Sequence, residues 1–249
     1  MDIVIESKQQ LPPLAQHPRR VHTITDRFSM ANTYLICEER IVIVDPGSAL
    51  HARLIVHYLQ CFLGRSPEDI DLIVLTHLHP DHTSGVEPLR EVCNASVAAS
   101  IAAWQLAQGQ AHGSRVIPGI SQMAGQVVSG TFQHLELLPS EYRRQIQLVD
   151  VWLEDVAGLP NHPDWHVIAR SLRSVDNLCL YNPFTYELLC GDTVITSEGV
   201  AQLICGRTNR FQVEEMLQTL HSLEVHYLYP GHGRPVLSKH AITNLRVRW

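Results

Sequence analysis

The sequence predicts an α/β fold in which helices cover the faces of β-sheets. Three observations carry this expectation. Short apolar runs at Thr33 to Cys37, Ile41 to Val44, Ile70 to Thr76, Val167 to Ala169, Leu178 to Tyr181, Glu187 to Cys190 and His226 to Tyr229 each end in a polar or glycine-containing break, which reads as strands. Between them, residues 50–63, 83–92, 97–108 and 211–223 carry helix-compatible apolar spacing, as in Phe211, Met216, Leu217 and Leu220. The chain has 249 residues, of which 45% are apolar and 18% charged, so it can bury a real core.

In chain order, the first strand is Thr33 to Cys37, and the second, Ile41 to Val44, runs into Asp45-Pro46-Gly47. A helix over 50–63 leads to the strand at 70–76, which ends directly in His77-Leu78-His79-Pro80-Asp81-His82. Two further helices are expected over 83–92 and 97–108. In residues 110–147, Gly113, Pro118, Gly119, Gly125, Gly130 and Pro139 interrupt the apolar positions, which predicts a partly helical insertion. Such a segment is either a lid or pocket wall, or peripheral packing. The strand pair at 178–181 and 187–190 leads into Gly191-Asp192-Thr193, and the helix at 211–223 precedes a strand ending in Pro230-Gly231-His232-Gly233. No internal repeat or charged linker divides the sequence, so residues 1–249 read as one domain carrying the 110–147 insertion.

A net charge of −6 provides no footprint for nucleic acid or an anionic membrane, and neither is expected as a partner. The start MDIVIESKQQLPPL has neither a basic n-region nor a long apolar h-region, and no apolar run reaches the roughly 18 residues of a membrane span, which predicts a cytoplasmic protein. Six cysteines, at 37, 61, 93, 179, 190 and 205, show no CxxC spacing and read as reduced, mostly buried thiols. Cys190 precedes the Gly-Asp pair but reads as a buried strand residue. His51, His57, His221 and His226 read as surface or packing residues.

The chemistry concentrates where three of the 15 histidines fall within six residues. His77 and His79 are two apart, so in extended chain both rings lie on one side. Pro80 then turns the backbone and brings Asp81 and His82 round to a second position. Three imidazoles and a carboxylate suit zinc, iron or manganese. Asp45, Asp192 and His232 each follow a strand, so all these groups should gather along one edge of the sheets.

These residues resemble the metallo-β-lactamase superfamily. His77, His79, Asp81 and His82 match its HxHxDH signature; Asp45, Asp192 and the Pro-Gly-His of His232 follow in the family's order, and the match spans about residues 31 to 236. The resemblance implies a four-layered αββα sandwich with a metal site at one edge holding one or two divalent ions. It also implies that His77 and His79 serve a first metal, that Asp81, His82 and His232 serve a second, and that Asp192 bridges them. Asp45 would orient the ligand loop.

The family's first metal has a third imidazole, from a turn before the hairpin that leads to the bridging Asp. Here the candidates are His162 and the position of Arg173. If Asp192 lies at the site, strand 187–190 runs toward it, 178–181 away, and 165–171 toward it again. That direction places the turn at 172–176 at the site and His162 roughly 20 Å away, in a solvent-exposed hairpin. Arg173 is therefore expected in the place of the missing ligand, where its fixed charge opposes a cation. It would pair with Asp192 or hold an anionic substrate group.

The function implied is a metal-dependent hydrolase of a small, anionic ester-, thioester-, lactone- or phosphodiester-like substrate, with Asp81, Asp192 and Arg173 as catalytic groups. The alternative is a binding or regulatory protein on the same fold with an incomplete metal site.

Overall fold

A computed structural model describes residues 20–26, 29–107, 139–169, 176–205 and 210–248. Its first sheet consists of β1 (Val21–Thr25), β2 (Asn32–Cys37), β3 (Ile41–Val44), β4 (Ile70–Leu75), β5 (Ser96–Ser100) and β6 (Val151–Leu153), hydrogen-bonded in that order. The β1–β2 and β2–β3 pairs are antiparallel, and β3 to β6 run parallel. The second sheet has the order β7 (Gly158–Leu159), β8 (His162–Ile168), β9 (Cys179–Asn182), β10 (Glu187–Gly191), β13 (Tyr227–Pro230) and β14 (Val236–Leu237). A small third sheet joins β11 (Val194–Ser197), β12 (Val200–Ile204) and β15 (Arg246–Arg248). The described α-helices are α1 (Ala49–Tyr58), α2 (Pro80–Thr83), α3 (Val86–Arg90), α4 (Ile101–Ala107), α5 (Pro139–Ile146) and α6 (Arg210–His221). None of the described helices is long and apolar enough to cross a membrane.

The two-residue side-chain period of the strands produces the layers. In β2 to β5, Leu35, Ile41, Ile43, Ile73, Leu75, Val97 and Ala99 point outward and pack with Ala52 and Ile55 of α1 and Val86 and Leu89 of α3. The alternate residues Tyr34, Ile36, Val42, Val44, Leu72, Val74 and Ala98 point inward and meet Trp165, Val167, Leu180, Leu189 and Tyr229 of the second sheet. The outward side of that sheet, with Cys179, Leu188, Cys190 and Leu228, packs on Val213, Met216 and Leu220 of α6. Helices, sheet, sheet and helix therefore stack as an αββα sandwich, and Cys190 is a buried thiol of the outer core, facing away from the inter-sheet layer.

One expected helix is corrected. Residues 97–108 begin as β5 and become helical only at Ile101. Ala98 and Ala99 are buried on opposite faces of a strand held in parallel between β4 and β6, and that placement overrides the helix preference of alanine. Of residues 110–147, those up to 138 lie outside the described residues. The remainder forms α5, whose Tyr142 and Ile146 pack against the helical side of the first sheet.

Candidate metal centre

The parallel pair β3 and β4 and the parallel pair β10 and β13 both end at one edge of the sandwich. Asp45 follows β3, the His77–His82 loop follows β4, Asp192 follows β10, and the His232 turn follows β13. Two contacts bring the sheets together there: Leu178 N donates to Thr76 O at 2.8 Å, and Asn32 N donates to Gly231 O at 2.8 Å. Gly191 has a left-handed backbone, and a Cβ on it would collide with Thr76, so only glycine lets the second sheet approach this closely.

Asp45 is 2% exposed and accepts three hydrogen bonds. Thr76 N donates to Oδ1 at 2.8 Å, while the Thr76 hydroxyl at 2.7 Å and His82 Nδ1 at 2.9 Å share Oδ2. With its proton given to Asp45, the Thr76 hydroxyl accepts from His77 Nδ1 at 3.1 Å. This network assigns the Nδ1 protons, and both rings then present Nε2 to the cleft. Asp45, His77 and His82 also form a compact donor group, but the carboxylate already accepts from three donors, an arrangement suited to orienting the ring of His82.

Asp81, His82, Asp192 and His232 converge at the cleft. His82 Nε2 lies 3.3 Å from His232 Nε2, 3.7 Å from Asp81 Oδ2 and 3.7 Å from Asp192 Oδ1. His232 Nε2 lies 3.3 Å from Asp81 Oδ2 and 3.5 Å from Asp192 Oδ1. Ligands bound at about 2.0–2.1 Å around a tetrahedral ion stand about 3.3–3.4 Å apart. Two imidazoles and two carboxylates at this spacing fit a borderline divalent metal. His77 Nε2 is 3.8 Å from Asp192 Oδ2, and the rings of His77 and His79 are centred 4.6 Å apart.

The electrostatics favour positive charge in the cleft. Burial opposes protonation of His82, but Asp45 outweighs it, with help from Asp192 and Asp81, and its pKa is pushed up to about 9. Burial also opposes ionisation of Asp81. The hydrogen bond with His232 and the nearby charges of His82 and His232 overcome this and hold the carboxyl well below its usual range.

His162 is corrected. Its remoteness from the site stands, because its Nε2 meets Asp71 Oδ1 at 3.1 Å, near the start of the strand whose far end carries His77. It is not exposed, however, but 3% accessible, and its Nδ1 meets Glu38 Oε2 at 2.8 Å. Arg173 lies outside the described residues. His51, expected on the surface or in packing, is buried beside Asp26.

Sequence reasoning missed Thr76, Asn32 and Asp176. Asp176 is buried and accepts from Leu78 N at 3.0 Å, between the two histidines of the loop. Burial pushes its carboxyl up to about 6. A polar residue at the start or end of an apolar strand was the available signal for Asn32 and Thr76.

The profile of the metallo-beta-lactamase superfamily matches residues 26–232. A putative diflavin flavoprotein A 2 from Nostoc sp. is 36% identical over 83 residues, covering 32% of this chain and 14% of that protein. The crystal structure of TTHA1623 in a di-iron-bound form has a TM-score of 0.57 and 21% identity, covering 91% of this chain and 98% of that one. A metallo-beta-lactamase from Hirschia baltica has a TM-score of 0.55 and 14% identity over 86% of this chain and 83% of its own. Rubredoxin oxygen:oxidoreductase from Desulfovibrio gigas has a TM-score of 0.55 and 15% identity over 86% of this chain and 51% of its own. The structural matches share the fold.

Proposed function

Because the chain belongs to the metallo-β-lactamase superfamily, we propose that it is a cytoplasmic metal-dependent hydrolase of a small, anionic ester-, thioester-, lactone- or phosphodiester-like substrate. Zinc is the first choice of metal, with iron or manganese as others. The observation that supports this most is the convergence of Asp81, His82, Asp192 and His232 at the donor spacing of a metal shell. A divalent ion held there supplies Lewis acidity and an acidified water at neutral pH.

The chain's own groups do the rest. His82 is locked by Asp45, so its Nε2 faces the cleft without reorganisation. Asp81 is ionised and its side chain is 34% exposed, so it can reach solvent and orient an attacking water by accepting a hydrogen bond from it. Asp192, buried at 1%, supplies fixed negative charge to the ion. Arg173, which the sequence reading expects in place of the family's third imidazole, would hold the anionic end of the substrate.

Arg173 also supports a second reading, a binding or regulatory protein with an incomplete site. Elemental analysis, chelation and a panel of ester, thioester, lactone and phosphodiester probes separate the two. Hydrolysis that a chelator abolishes and metal restores is expected. Activity that survives complete metal removal overturns the hydrolase mechanism, and a fully loaded but inert protein favours the second reading.

A further inference from the structure

The geometry points to Asn32 as the residue that positions His232, a role that rests on the metal-site reading above. Asn32 opens β2, is 1% exposed and belongs to the first sheet, whereas His232 follows β13 of the second. The Asn32 amide donates from Nδ2 to Pro230 O at 2.9 Å and to Gly233 O at 2.7 Å. Its backbone N donates to Gly231 O at 2.8 Å. Three carbonyls that bracket His232 are thus gripped by one residue. The Thr25 hydroxyl donates to Asn32 Oδ1 at 2.7 Å, which fixes the orientation of the amide and leaves both N–H groups for the turn.

The turn needs such a grip. Beyond Pro230 the strand has ended, and His232 sits in an isolated bridge with Ala31. On its other side, Thr196 N donates to His232 O at 3.1 Å. Gly231 presses against Asp192, so that a Cβ there would meet Asp192 Oδ1. A small shift of the turn therefore moves Nε2 of His232 relative to Asp81, His82 and Asp192 together. Asn32 does not touch the ion's position; it acts only through the imidazole.

Asn32→Asp keeps the shape and turns two donors into lone pairs that face two carbonyls. Metal-stripped variants titrated with zinc against a competing chelator, and with cobalt(II) followed by its visible spectrum, test the role. Asn32→Asp is expected to bind roughly 10–100-fold more weakly than the parent, with an altered cobalt spectrum. His162→Ala, a destabilising change at the other end of the sandwich, should retain parent affinity and spectrum even where its Tm falls. If Asn32→Asp does not fold, Thr25→Val carries the test, because it frees the amide to rotate; a loss of roughly threefold or more is expected. Parent affinity and spectrum in the folded Asn32 variant, or in Thr25→Val when that variant stands in, overturn the proposal. His232→Ala isolates the underlying reading: if it too binds like the parent, the metal site itself has been misassigned.

Discussion

Asp45 Oδ2 lies 2.9 Å from His82 Nδ1, and this one contact decides which nitrogen of His82 faces the cleft. The same carboxylate holds Thr76, whose hydroxyl meets His77 Nδ1, so one side chain after β3 sets the ring orientation of two histidines after β4.

Asp45→Asn should therefore weaken metal binding roughly 10–100-fold. A single amide oxygen cannot accept from Thr76 N, the Thr76 hydroxyl and His82 Nδ1 together. Chelator competition measures the effect, and unchanged affinity would show that the His82 ring is held by other contacts.

His82→Ala and Asp192→Ala should each remove most of the bound metal, as read by elemental analysis per chain. His162→Ala should leave metal content nearly unchanged while lowering Tm, because Glu38 and Asp71 would lose the buried ring between them. Metal loss in the His162 variant equal to that in His82→Ala would place His162 in the centre after all.

Asp176→Asn should raise Tm at pH 7.5. The folded carboxyl titrates at about 6, above its ordinary 3.8, so its contribution to stability is complete below about 3.8 and lost as pH rises through about 6. Asparagine keeps an acceptor for Leu78 N and carries no charge, so the gain over the parent should shrink toward pH 4. A lower Tm at pH 7.5 would mean that the charge is compensated in the folded chain.

Arg173→His should increase the metal bound per chain under identical loading. On the sequence reading, which expects Arg173 where the family has its third imidazole, the change removes a fixed positive charge and would offer an imidazole alongside His77 and His79. If the parent already holds two tight ions, Arg173 does not stand where a ligand is missing.

The amino-acid sequence alone determined which groups are offered and roughly which segments carry them. The short continuous apolar runs of β2 to β4, β9 and β10 read directly as strands, and the spacing from His77 to His82 reads as a metal loop, because both signals are local. Tertiary structure decided the rest. Ser96–Ser100 carries no strand signal of its own and becomes β5 only because β4 and β6 flank it. His162 is buried by Glu38, 124 residues away, and Asp71, 91 residues away, while Asn32 grips carbonyls 198 and 201 residues further along. Spacing along a chain reports on neighbours a few residues apart. The ends of β3 and β4 meet those of β10 and β13 only once the inner faces of two sheets are buried against each other, and that packing brings Asp192 and His232 within reach of His82.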